Sequence, residues 1–327
     1  MIRRRVIAAS VAALLGLAAL PVRTQPAPAR RVAVTFDDLP GAPGAARSSS
    51  VADLTAQTTR LLAQFATSGV PVTAFANEGK LHLAGETPAE ATARAGLLQL
   101  WADAGIELGN HTYSHKSLNR ESLTDFQADV VKGETTARRL MQAAGKPFRY
   151  FRHPSLQVGL DLEKRRAFET WLAARGYTVA PVSMDNDEYM FAAIYAQAQR
   201  ANRAAEAARI ADAYVTYMAS TFAFFEGIEQ TVLGRPLSHV LLLHANALNA
   251  DHFAGIATTL RDRGYRFISL EEALRDEAWR RPDTYVGAWG ISWLHHWELT
   301  ETGRRSPAPN PPAWIVETYH ASVATGR

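Results

Sequence analysis

Between Arg31 and Ile268 the chain repeats one pattern, a short apolar segment followed by a longer stretch of helical periodicity, and this most narrows its possible folds. The apolar segments, each bounded by Gly, Pro or Asn, are 31–36, 72–76, 106–109, 149–152, 178–182, 240–244 and 266–268. Short apolar runs between such residues read as strands. Helical spacing fills the intervals at 51–67, 88–104, 122–144, 162–174, 191–229 and 251–263, with a short helix from Leu270. Alternation of this kind builds a parallel sheet, because each strand must be carried back across a face before it can pair with the next.

An open sheet and a closed barrel share that pattern, so the polar residues at the strand ends decide between them. Asp37-Asp38, Asn110-His111, Arg152-His153, Asp185 and His244 each fall at or just past the C-terminal end of a predicted strand. A barrel gathers such residues at one mouth, whereas an open sheet spreads them along an edge. The expected fold is therefore α/β, an incomplete TIM-like barrel of about seven parallel strands with outer helices. The barrel domain is placed at 30–276. Residues 277–327, rich in Trp and Pro, form a C-terminal extension expected mainly to pack a tail against the barrel, with stacking on sugar rings as the second use of its aromatics.

Ahead of the barrel, Arg3-Arg4-Arg5 precede an apolar run from Val6 to Leu20, followed by a Pro/Ala-rich tether. This is the order of an export signal, and the run is shorter than the ~20 residues of a spanning helix. Residues 1–29 are read as a signal and tether, giving an exported protein, periplasmic or extracellular, with no membrane span once the signal is removed. Sec and twin-arginine routes fit equally. Losing Arg3, Arg4, Arg5 and Arg23 takes the nominal charge from +3 to −1, so composition gives no support for a nucleic-acid partner. With no cysteine in the chain, a metal site must be built from His, Asp or Glu.

The chemistry-bearing residues come in five groups. Asp37 and Asp38 end an apolar strand as adjacent carboxylates; their repulsion suits one acid bound to a cation beside another free to act as a base. His111 and His115 lie four apart, close enough for both imidazoles to hold one ion, and a carboxylate would complete a set with positions left open for water and substrate. Arg152, fixed before His153-Pro154, can pair with Asp37. Met184 to Tyr189 gathers Asp185, Asp187 and Glu188 near a strand end. His244 follows a fully apolar strand; paired with a carboxylate it would gain basicity and could protonate a leaving amine. Asn77-Glu78-Gly79 and residues 246–249 also follow strands and are expected to line the mouth, with no chemistry assigned.

Taken in order, these motifs resemble the polysaccharide deacetylase family, carbohydrate esterase family four, over about Arg31 to Asp276. The Thr-Phe-Asp-Asp and His-Thr-x-x-His elements are the most specific. The resemblance implies that Asp37 is the general base, that Asp38, His111 and His115 bind one divalent metal, that Arg152 orients the base and that His244 is the general acid. Zinc is the first expectation for the metal, with cobalt or nickel as alternatives. The family's fourth motif maps onto Asp185, Glu188 and Tyr189, and its second acid, here Glu188 in place of the usual Asp, would support His244. Ser155 stands where the family usually has an aromatic residue; the backbone N–H implied there as an oxyanion donor survives that change.

The function implied is deacetylation of N-acetylated sugars in a glycan: peptidoglycan, a chitin-like polymer or an exopolysaccharide. Two alternatives remain open: a metal-dependent hydrolase of an O-acetyl ester or cyclic amide on the same scaffold, and a glycan-binding protein without catalysis. Oligomeric state is left open.

Overall fold

The computed structural model describes residues 30–42 and 50–325; the expected signal and tether lie outside these. Seven strands form one parallel sheet: β1 (Arg30–Leu39), β2 (Val72–Ala76), β3 (Glu107–Asn110), β4 (Tyr150–Phe151), β5 (Thr178–Val179), β6 (Ser238–His244) and β7 (Tyr265–Phe267). Their order is β5-β4-β3-β2-β1-β6, with β7 paired to the first residues of β1. The chain beyond β5 then returns to β6 through a single bridge, Met184 to Leu241. One bridge closes the ring, so the expected incomplete barrel is the architecture found.

Helices α1 (Val51–Ser68), α2 (Pro88–Asp103), α3 (Leu123–Lys132), α4 (Thr135–Ala143), α5 (Leu162–Ala174), α6 (Glu188–Arg200), α7 (Ala204–Leu233), α8 (Ala247–Asp262) and α9 (Leu270–Ala273) follow the strands. The helices at 51–67 and 88–104 begin as expected, on Ser50 and Thr87 capping boxes.

Two expected helices are each divided. The stretch 122–144 breaks at Gly133, whose missing side chain admits the backbone of Thr112; a Cβ there would stand 2.4 Å from the Thr112 carbonyl carbon. The stretch 191–229 is interrupted at Asn202, which takes a left-handed φ of 54°, a conformation that Asn tolerates better than most residues. The helix before that break starts earlier than expected, so Glu188 is its first residue.

Side-chain alternation along β1 sends Ala33, Thr35 and Asp37 to the same face. Ala33 packs inside the ring with Phe75, Tyr150, Ala180, Val240 and Ile268, and α9 adds Leu270 and Ala273. The interior is thus a packed core, and Thr35 and Asp37 stand further along β1 toward its C-terminal end. Outside the ring, Phe36, Phe65, Trp101 and Phe253 meet at ring separations of 4.9–6.3 Å, joining the sheet to α1, α2 and α8.

The C-terminal residues add α10 (Trp293–Thr302) and α11 (Ala313–Thr325), which pack on α7 and α6. Among the described residues, no helix is long and apolar enough to cross a membrane.

Candidate metal and acyl-transfer site

The end of β1 departs from regular strand geometry. Its register with β2 shifts between Phe36 and Leu39, and Asp38 takes a φ of 73°. In a regular strand Asp38 would face away from Asp37; the irregularity turns it back. As a result Asp37 Oδ2 and Asp38 Oδ1 lie 3.8 and 3.9 Å from the same atom, His111 Nε2.

His111 and His115 arrive on the loop after β3. His111 is fully buried, and its Nδ1 lies 2.8 Å from the Arg152 carbonyl, which leaves Nε2 to face the carboxylates. An outer partner of this kind fixes the tautomer of a metal-binding imidazole. His115 Nε2 is 3.6 Å from Asp38 Oδ1. Its backbone has a φ of 56°, and its N–H donates to Thr112 Oγ1. One ligand atom from each of Asp38, His111 and His115 lies within 4.8 Å of the others. Burial lowers the pKa of both histidines, keeping them neutral as metal ligands must be. Burial alone would raise Asp38, but the positive charges around it, Lys80 first, hold it well below the usual carboxylate range. Donor chemistry, spacing and protonation all fit a divalent ion.

Arg152 is wholly buried in the ring, donating to Thr35 Oγ1 at 2.9 Å, lying 4.7 Å above the Phe75 ring and reaching Asp37 Oδ2 at 3.4 Å. Close approach of Phe75 depends on Gly109, where a Cβ would come within 2.6 Å of that ring. Asp37 Oδ1 is buried with no hydrogen-bond partner among the described residues. Burial raises the Asp37 pKa to about 6 against the pull of Arg152 and His244. A carboxylate with one oxygen held and one free, ionised near neutrality, has the properties of a general base.

His244, at the end of β6, lies with Nδ1 2.8 Å from Glu188 Oε2. The other Glu188 oxygen accepts from Asn249 Nδ2 at 2.6 Å and from Asn246. Burial would lower His244, yet Glu188 outweighs it and lifts the imidazole to about 9. A protonated His and an ionised Asp with pKa values pushed apart form an acid–base pair. Glu188 therefore meets His244 as expected. Asp185 does not join that pair: among the described residues its carboxylate accepts from the Asn186 N–H, and burial, reinforced by Asp187, raises it to about 7.

Sequence reasoning missed one member. Lys80 donates to Asp38 Oδ1 at 2.9 Å and to the carbonyls of Asp38 and Gly41, both at 3.3 Å. It lies one residue beyond the Asn77-Glu78-Gly79 segment, and the loop that carries it is tightly built. Asn77 donates to the His111 carbonyl, Glu78 accepts from the Thr136 and Ala137 N–H groups at the start of α4, and Gly79 donates to the Tyr113 carbonyl at 2.9 Å. A lysine four residues after the end of β2, directly following the polar Asn77-Glu78-Gly79 segment, was the available signal.

A second constellation has comparable distances but no access. Ser183 Oγ is 3.0 Å from His239 Nδ1, and His239 Nε2 is 2.8 Å from Glu229. All three are at most 3% exposed, and Ser183 Oγ is engaged by the Val240 N–H, so this is a buried polar network rather than a nucleophile.

Residues 24–168 match the family model "Polysaccharide deacetylase", which bears out the resemblance over that stretch, Asp37 to Arg152 included. No curated protein matches the sequence. Solved structures similar to this chain include a family 4 carbohydrate esterase from Streptomyces lividans in complex with acetate, 22% identical, covering 75% of this chain and 95% of that one with a TM-score of 0.43. The Bc1960 peptidoglycan N-acetylglucosamine deacetylase is 20% identical over 76% and 89%, with a TM-score of 0.46. A third, BA3943 from Bacillus anthracis, described as a pseudoenzyme of the same family, is 14% identical over 75% and 66%, with a TM-score of 0.44. At these values they stand as similarities alone.

Proposed function

We propose that this protein is an exported, metal-dependent deacetylase of N-acetylated sugars in a glycan, with zinc as the first candidate for the ion. The observation that carries the reading is the joint arrival at one mouth of three neutral-or-anionic metal donors, a half-free buried carboxylate and a carboxylate-backed imidazolium. The match of residues 24–168 to the polysaccharide deacetylase family supports the glycan as substrate class.

Asp38, His111 and His115 would hold the ion, and its chemistry there would be Lewis-acid polarisation of the acyl carbonyl and acidification of water. Asp37 accepts a proton from the attacking water at Oδ1, while Arg152, itself held by Thr35, keeps the carboxylate in place. His244 carries its exchangeable proton on Nε2, because Nδ1 is committed to Glu188, and delivers it to the departing sugar nitrogen. Amide cleavage needs this last step more than ester cleavage does, since an amine leaves poorly unless protonated. The free amine and acetate are the products.

The test joins elemental analysis of the purified chain to acetate release from N-acetyl and O-acetyl glycans. One divalent ion per chain and release from N-acetyl substrates are expected, with ion and activity both lost in Asp38→Ala. His244→Ala should reduce N-acetyl turnover by ~100- to 10,000-fold. Full N-acetyl activity in that variant would remove His244 as the acid, and release from O-acetyl substrates alone would make the protein an esterase.

A further inference from the structure

Most of the tryptophans serve the interior. Trp101, Trp293 and Trp297 are buried, and Trp279 and Trp314 pack partly against the core. Trp289 is different: it is 75% exposed, yet its backbone belongs to a loop held by several hydrogen bonds. Gly287 donates to the Gly159 carbonyl at 3.1 Å, and Asn119 Nδ2 donates to the Gly287 carbonyl at 2.9 Å. Gln157 Nε2 reaches the Ala288 carbonyl at 3.0 Å, and the Tyr285 hydroxyl reaches that of Trp289 at 2.7 Å. The next residue, Gly290, lies so close to the loop after β4 that a Cβ would stand 1.7 Å from the Ser155 carbonyl oxygen. Ser155 is three residues past Arg152, so the backbone that carries this exposed indole is anchored against the loop that follows Arg152.

The same loop borders a cleft of about 250 Å³ lined by Gly290, Ile291, Asp185, Asp187, Arg305 and Asn310, among others. Carboxylate, guanidinium and amide groups suit hydroxyls, and an aromatic face suits the C–H face of a pyranose. Asn186 joins the cleft to the catalytic mouth: it lines the cleft, and its Nδ2 donates at 2.8 Å to the carbonyl of Leu242, two residues before His244. A partner protein would be served by a broader apolar patch than one indole beside a polar cleft. A rigid backbone under an exposed ring also lowers the ordering cost of binding.

We propose that Trp289 and the adjoining cleft, both contributed or completed by the C-terminal extension, bind a pyranose ring next to the sugar being deacetylated. This rests on the glycan reading given above. The extension is then part of the substrate site, and it selects oligomers over single sugars.

The test is calorimetric titration of the full chain, carrying Asp37→Asn to stop turnover, with N-acetylglucosamine and its pentamer. The pentamer should bind at least tenfold more tightly than the monomer. Adding Trp289→Ala should weaken pentamer binding about tenfold, Trp289→Phe should restore most of it, and the melting temperature should not move. Equal pentamer affinity with and without Trp289, or no preference for the pentamer in the parent chain, would overturn the proposal. A parent chain that prefers the pentamer, while the unmutated protein releases no acetate from any glycan, would sink the deacetylase reading and leave this subsite standing.

Discussion

Replacing Glu188 by Gln removes one charge from a fully buried position while keeping shape and an oxygen that can still accept from Asn246 or Asn249. What it takes away is the counter-charge that lifts His244 from 6.5 to about 9 against burial. A displacement of that size corresponds to roughly 3 kcal/mol of preference for the protonated ring. Without Glu188, burial acts unopposed by its main partner, and the imidazole should fall to its ordinary value or below. At pH 7.5 the protonated fraction would drop about tenfold, and at pH 8.5 roughly 75-fold, on the same arithmetic. The assay is kcat/KM for acetate release across pH 5 to 10, whose limbs report the free enzyme's base and acid. The parent should give a bell, with Asp37 setting the acid limb near 6 and His244 the basic limb. In Glu188→Gln the basic limb should move by two pH units or more toward acid, while the acid limb moves far less and upward, as Asp37 loses the pull of a charged His244. A bound divalent cation lowers both values together, so the displacement rather than the absolute position is diagnostic. If activity falls and the basic limb does not move, Glu188 supports the site's shape and not the charge of His244.

Two further perturbations test neighbouring claims. Lys80 and a divalent cation both seek Asp38 Oδ1, so Lys80→Met should tighten zinc binding about tenfold or more by calorimetry, through relief of like-charge repulsion; weaker binding would instead make the ammonium's hold on the Asp38 and Gly41 carbonyls the feature that builds the site. His153 is buried behind Arg152, between the rings of Phe151 and Phe168, and burial lowers it from 6.5 to about 3. Its unfolded form takes up a proton first as pH falls, so its contribution to stability is whole above 6.5 and drains away toward 3, a loss on the order of 2 to 3 kcal/mol between pH 7.5 and 4.5. Urea unfolding at those two pH values should reveal the loss, and His153→Leu should flatten it; an unchanged slope in the variant would acquit His153.

The barrel was legible because a parallel sheet leaves its mark in composition: strands covered on both faces read as apolar runs, and several of the site's side chains sit where such a run ends. Asp37, Asp38, His111, Arg152 and His244 stand out by that rule, while the roles expected of them came from residue spacing and the family resemblance. Lys80 escaped it because it stands on a single turn of helix four residues beyond β2, at a distance from Asp38 that depends on how Gly79 seats against Tyr113. Asn246 and Asn249 were noticed only as mouth residues, since their service to Glu188 exists only once α6 is known to begin at Glu188. Trp289 was hidden for a related reason: among the aromatics of residues 277–327, packing residues and an exposed one are spelled alike. What separates them is a contact between Gly290 and Ser155, 135 positions apart, and no local periodicity encodes such a contact. The unread part of the site is thus the part assembled by close backbone approach at glycines. Gly79, Gly109, Gly133 and Gly290 each admit a neighbour that a methyl group would exclude. Strand ends declare which residues can do chemistry, and these four approaches determine which of them meet.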